Sequence, residues 1–301
     1  VDVPAAHFEM AVERLVDQVE ARVATCVPGE RELSELRAEL REERADARQA
    51  EWCKLQALAG MDPGSASDEW LAVVARLANE AGPVATEEIL ATVPALQGGL
   101  SAAHEALTAM RNSVTTVKLD WAAISRTAAR ANQIPWARGA RLAGELRRQL
   151  GIPSGPLARS TLEQLLDAKL PLPQSSWRGE RGLRGGFRNS GAGGRAALLV
   201  TSRREDSQRL YLGRLVAAAL LSSPDQHVLP VSDVGTALQK LERSFAQELL
   251  CPWNDLDAFT DQHGSDDEGI ADAAEHFAVS ELVVRSALVN KKKLTRHRLQ
   301  A

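Results

Sequence analysis

Aromatic residues are scarce: five Phe, six Trp and one Tyr make up 4% of the 301 residues. Sandwiches and barrels draw heavily on aromatic and β-branched side chains, so this shortage, beside abundant Ala, Leu, Arg and Glu, points to a mainly helical chain. Cysteine is nearly absent. Cys26, Cys53 and Cys251 lie far apart with no Cys-x-x-Cys spacing, so neither a disulfide framework nor a thiolate zinc site is indicated. The longest apolar run, Leu215 to Leu221, falls far short of the roughly 20 residues that span a bilayer. The N-terminal stretch carries Glu and Arg where a signal peptide is apolar, so a cytoplasmic location is expected. Positive charge is not in excess either. Thirty-six basic against 40 acidic side chains leave −4, which argues against a dedicated nucleic-acid coat.

What is present is the palette of a folded chain, 44% apolar and 25% charged, at about twice the usual domain length. The chain opens on Val1 rather than a methionine, as expected of a processed or trimmed protein. The expected fold is α+β and mainly α: an N-terminal helical bundle or coiled-coil region (1–118), a second domain with a small β-sheet and a C-terminal helix pair (119–294), and a basic tail (295–301). Helical spacing predicts an amphipathic helix from Ala5 to Val23 and a long charged one from Glu30 to Leu58. The Leu33, Leu36 and Leu40 stripe of the second is too short for a sustained coiled coil and suits a solvated helix leaning on neighbours. Past a Met61 to Ser67 linker, helices are expected from Asp68, over Thr86 to Val93, over Leu100 to Val117 and over Asp120 to Asn132. This half of the chain offers no recognisable chemistry. His104-Glu105 begins a His-Glu-x-x-His zinc helix, but its last position is Thr108, so a surface pair is expected.

From Pro135 a basic helix runs to Leu150, and Ser160 or Thr161 can cap a short helix through Leu166. Between Arg178 and Arg204 there are seven arginines, one acid (Glu180) and many glycines around one convincing strand, Ala196 to Thr201, which predicts a hairpin or small sheet. Gly and Arg of this density can grip phosphates, but no phosphate-loop string exists, and Gly182 to Gly194 reads as a mobile hairpin tip. Helices follow at about Glu205 to Leu221 and Val234 to Leu250, with two short ones after Pro252. His227 and His263 are expected as solvated loop side chains.

The segment order from Trp136 onward resembles the ImmA/IrrE family of zinc metallopeptidases. The features are a basic helix ending in Leu-Gly-Ile (Glu145 to Ile152), a Gly-interrupted sheet ending in Leu198-Leu199-Val200, an Arg-rich helix start at Arg203, and Phe245-Ala-Gln-Glu-Leu-Leu-Cys-Pro252. The last string is similar to the family's Phe-Ala-Ala-x-Leu-Leu-Met-Pro. Phe277-Ala-Val-Ser280 matches its C-terminal Phe-x-Val-Ser turn. The resemblance covers roughly residues 120–294 and implies a zincin-like fold and a regulatory, bacterial or phage-like setting in which intact members cleave repressor proteins.

The same resemblance assigns the metal site to positions that have lost it. Two imidazoles one helical turn apart, a neighbouring carboxylate and a Glu general base are needed. Matching Arg209 to Leu221 onto the family's helix puts Arg214 and Ala218 at the histidines and Leu215 at the base, and the third ligand falls on Gln239. A guanidinium repels a dication, alanine has no donor, leucine takes no proton, and a neutral amide is a poor zinc ligand. No histidine occurs from Arg203 to Leu221, so no change of register restores the site, and Glu242 alone does not make one. The helix around Leu215 to Leu221 is apolar all round, the pattern of a buried element. The expectation is a pseudo-peptidase, catalytically inactive and without a cofactor, that binds a protein partner. Arg184, Arg188, Arg195, Arg203 and Arg204 are the candidate groove or partner-binding residues, and the N-terminal helices can mediate homo-oligomerisation. An unconventional metal-dependent endopeptidase is one alternative.

The other is a DNA-associated regulator, because Gly269 to Ser280 and Glu281 to Asn290 have helix-turn-helix texture, the second helix capped by Ser280. Eight acids and no Lys or Arg between Asn254 and Ser280 oppose a phosphate backbone. Positive charge arrives only at Arg285 and in Lys291 to Lys293, Arg296 and Arg298. His276 is expected at the core or its boundary.

Overall fold

A computed structural model describes residues 5–27, 29, 31–62, 64–119, 134–177, 182–188, 194–223 and 226–299. These residues form thirteen α-helices and four strands, in two compact units that divide between Ala66 and Ser67. The helix expected over Asp120 to Asn132 and the tip of the Gly182 to Gly194 hairpin, 189–193, lie outside the described residues.

The first unit holds α1 (Ala5–Cys26), α2 (Glu32–Ala45) and α3 (Ala47–Leu58). The single long helix expected from Glu30 to Leu58 is broken, because Asp46 turns to extended backbone and its carboxylate accepts from the N–H groups of Arg48 and Gln49 as the cap of α3. Helix α2 buries no residue, and Leu36 and Leu40 are exposed. Its link to α1 is electrostatic: Arg37 pairs with Asp17 and Glu20, and Arg44 with Glu13 at 2.8 Å.

The second unit begins with α4 (Asp68–Ala81), capped by the Ser67 hydroxyl, then α5 (Pro83–Leu90) and α6 (Gly99–Arg111). The helix expected to reach Val117 stops at Arg111, and Thr116–Lys118 is strand β1. Helix α7 (Pro135–Gln149) and α8 (Arg159–Leu166) follow. Ala158, not Ser160 or Thr161, stands at the cap of α8, and no side chain caps it. Strand β2 (Leu183–Arg188), β3 (Arg195–Leu198) and, after α9 (Glu205–Leu221), β4 (Val228–Ser232) complete an antiparallel sheet of order β1-β3-β2-β4. Its register pairs Val117 with Ala196, Phe187 with Ala197 and Arg184 with Val231. Because β1 joins β3 and α6 packs on β2 and β3, the segment 67–118 belongs to the sheet unit, so the structural division falls well before the expected 118/119 boundary.

Helix α10 (Ala237–Leu250) is capped by Thr236, and three helices rather than two follow: α11 (Trp253–His263), α12 (Asp267–Phe277) and α13 (Glu281–Asn290). The core runs through Leu212, Leu215 and Val216 of α9, Phe245 and Leu249 of α10 and Val284 and Leu288 of α13. Helix α9 is covered nearly all round, as its unbroken apolar sequence requires. Backbones approach closely at two glycines. Gly213 of α9 faces Ala246 of α10, where an added Cβ would lie 3.0 Å from the Ala246 Cβ, and Gly139 of α7 sits against the Leu241 carbonyl. Among the described residues, no helix is long and apolar enough to cross a membrane. The described cysteines are free, Cys26 exposed and Cys53 and Cys251 buried.

Candidate functional site

A charged residue in the middle of a buried helix must find partners, and Arg214 finds them at the end of β4 and on α10. Its Nη2 donates to the Ser232 carbonyl at the end of β4 and to Gln239 Oε1 on α10, the latter at 2.5 Å. Its Nη1 lies 3.7 Å from Asp233 Oδ1, and its Nε 3.8 Å from Glu242 Oε2, both beyond hydrogen-bond length. The positions assigned to a first histidine and a third ligand therefore meet side chain to side chain. Leu215 and Ala218, at the assigned base and second histidine, are buried in the apolar core.

Gln239 is fully buried and uses its whole amide. Oε1 accepts from Arg214 and from the Ser232 N–H at 2.9 Å, while Nε2 donates to Glu88 Oε2 at 3.0 Å and to the Pro230 carbonyl at 3.2 Å. Glu88, on α5, also accepts from the Thr236 hydroxyl at 2.7 Å. The N-terminal half, in which the sequence displays no chemistry, thus contributes a buried carboxylate to this network.

Burial dominates the electrostatics. It pushes the Arg214 guanidinium down to about 10, against the attraction of Glu242. It holds the Glu242 carboxyl well above the usual carboxylate range, with Arg214 opposing, and raises Glu88 against its bonds from Thr236 and Gln239. Both oxygens of Glu242 lack a hydrogen-bond donor among the described residues.

The donor set does not fit a zinc ion. Of the positions that the resemblance assigns, the first imidazole's holds a cation already bonded to the neighbouring amide, the second's a methyl group and the base's an aliphatic chain. Among the described residues, no group of three or more His, Cys, Asp and Glu side chains is arranged to hold a metal.

A cavity of about 350 Å³ opens over Arg214, between β2, α9, the end of β4, α10 and α13. Arg184 lines it, 3.6 Å from Asp233 Oδ2. The other candidate arginines are held elsewhere. Arg188 donates to the carbonyls of Ala219 and Ser223 around the end of α9, and Arg195 bonds Thr116 and Asp167. Arg203 donates to Gln174 at 2.7 Å, and Arg204 pairs with Asp206 beside a separate surface pocket. Arg243, also in the cavity wall, went unnoticed in sequence because an isolated Arg on an amphipathic helix looks like surface charge.

His227 lies in a loop but is half-buried, while the other histidines are exposed. His104 and Glu105 are exposed, as expected, but His263 closes α11 rather than lying in a loop and stacks on Phe259 at 4.2 Å. His276 is exposed, not at the core, and stacks on the same ring. Ser280 stands at the cap of α13 without a side-chain hydrogen bond. The tail's positive charge is partly spent within the fold: Lys293 pairs with Asp257 at 2.6 Å and Asp261 at 2.9 Å, and Arg298 with Asp267 at 3.1 Å.

Compared with family models, curated proteins and solved structures, the chain matches none.

Proposed function

We propose that the chain is a catalytically silent, metallopeptidase-like module that recognises a protein partner through the cavity over Arg214. The observation that carries this reading is the contact between Arg214 and Gln239. Two residues that the ImmA/IrrE resemblance assigns to metal-ligand positions face each other, and a guanidinium with an amide stands between them instead of a dication. The permanent charge of Arg214 supplies a positive centre without Lewis acidity, which suits binding of anionic or polar groups and not activation of water. The resemblance adds a zincin-like scaffold and a regulatory setting. Exposed apolar residues on α1 and α2, among them Phe8, Leu15 and Leu36, support self-association through the N-terminal helices, which concentration-dependent sedimentation tests.

The DNA-associated alternative is less favoured, because Lys293, Arg298 and Arg285 are paired with acids of the same C-terminal region. The silent-module reading is tested by incubating the full chain with unfolded protein substrates and added zinc. No cleavage above background is expected, and cleavage abolished by a chelator rejects the reading in favour of the endopeptidase alternative.

A further inference from the structure

The cavity over Arg214 is lined by both guanidinium groups and apolar side chains. Three guanidinium groups reach it from three elements, Arg184 from β2, Arg214 from α9 and Arg243 from α10. The one carboxylate in its wall, Asp233, is 76% exposed and stands 3.6 and 3.7 Å from Arg184 and Arg214, so it hydrogen-bonds neither. The Arg184 Nε–H has no acceptor among the described residues, and the Arg214 Nε–H lies 3.8 Å from the buried Glu242 Oε2 without a hydrogen bond. Cationic groups so sparsely hydrogen-bonded favour an incoming anion at the nitrogens that reach the cavity. Apolar side chains are interleaved with the arginines: Val231 pairs with Arg184 across β2 and β4, Leu210 lies one turn before Arg214 on α9, and α13 adds Val283 and Leu282, the latter 59% exposed.

From this juxtaposition we infer that the cavity binds a peptide carboxylate, seated between Arg184, Arg214 and Arg243, with a neighbouring aliphatic side chain against Leu282 and Val283. Charge complementarity selects an acid, and the apolar side chains select a peptide over a bare inorganic anion. A planar carboxylate matches the fork of a guanidinium. The volume, about 350 Å³, suits one acidic and one aliphatic side chain rather than a long segment. This inference rests on the reading of the cavity as a partner-binding groove and specifies what that groove takes.

The test uses the full ¹⁵N-labelled chain and follows the arginine Nε–Hε resonances. Acetyl-Leu-Glu-Leu-amide presents a side-chain carboxylate, acetyl-Leu-Leu a terminal one, and acetyl-Leu-Gln-Leu-amide neither. At least one acidic peptide should shift the Arg184 and Arg214 signals and bind about tenfold more tightly than the Gln peptide, and which of the two does so identifies the source of the carboxylate. Arg184→Gln and Arg243→Gln should each erase most of that preference while leaving the thermal transition nearly unchanged. Equal binding of the Gln peptide, binding of none of the peptides, an undiminished preference in both folded variants, or inorganic phosphate binding as tightly as the acidic peptides at the same ionic strength would each overturn the inference. Zinc-dependent cleavage of the peptides, read by product mass, would instead reject the silent-module reading, so the two failures are distinguishable.

Discussion

Gln239 joins Arg214 to Glu88: its carbonyl oxygen accepts a hydrogen bond from the guanidinium at 2.5 Å and its amide N–H donates one to the carboxylate at 3.0 Å. A neutral amide does both at once. A carboxylate at 239 keeps the bonds from Arg214 and Ser232 but turns acceptor against acceptor toward Glu88 and Pro230.

Gln239→Glu should therefore destabilise the chain by about 2 kcal/mol at neutral pH, with a smaller loss at mildly acidic pH where one of the paired carboxyls holds a proton. Urea unfolding at both pH values measures it. A variant as stable as the parent at neutral pH would show that the amide's two donor bonds are unimportant.

Stability should also fall as pH rises above the ordinary carboxylate range. Glu242, Glu88 and Glu248 are raised in the folded state by burial, so their contribution is complete below the ordinary carboxylate range and is lost as pH climbs through the folded values. Asp267, held down by its hydrogen bond from Arg285, and Glu163, held down by the Leu170 N–H and Arg159, act oppositely and lose their contribution as pH falls below about 4. Glu242→Gln should flatten the decline with rising pH, as read from thermal transitions across pH. An unchanged slope would mean that Glu242 stays ionised beside Arg214.

Two glycines of α7 should respond in opposite directions to the same substitution. Gly139→Ala drives a methyl group into the Leu241 carbonyl where α7 crosses α10 and should cost about 2 kcal/mol or more. Gly144→Ala meets nothing within 4 Å and should stabilise by about 0.5–1 kcal/mol through helix propensity alone. Denaturant midpoints of the two variants decide it. Equal effects would contradict the tight α7–α10 crossing.

Much of the helical frame was legible because it follows from local pattern. The all-round apolar run of α9 and the Pro135 start of α7 each carry their own signal, whereas α10 begins at Ala237 behind the Thr236 cap and not at the expected Val234. The resemblance assigned positions 214 and 239 to one metal site without naming a bond between them, and nothing in an isolated Arg and an isolated Gln says that they meet. Strands β1 and β4 escaped for physical reasons. β1 has three residues, and β4 contains Pro230, which is tolerated because β4 is an edge strand whose partner lies on one side only. Glu88 was illegible because its role depends on α5 reaching β4 and α10, a contact made far along the chain. The break at Asp46 was missed because a charged residue inside a charged helix gives no contrast until its carboxylate is seen capping.

The most direct measurement is zinc stoichiometry by elemental mass spectrometry, on the native chain and on Arg214→His/Ala218→His/Gln239→Glu, each purified from zinc-replete medium and checked for an intact thermal transition. The triple variant places two imidazoles one turn apart on α9 with a carboxylate facing the first. The native chain should carry essentially no zinc and the variant about one ion per chain. About one ion on the native chain would contradict the replacement of a metal by Arg214, and a folded variant without zinc would contradict the assignment of these three positions to a lost metal site.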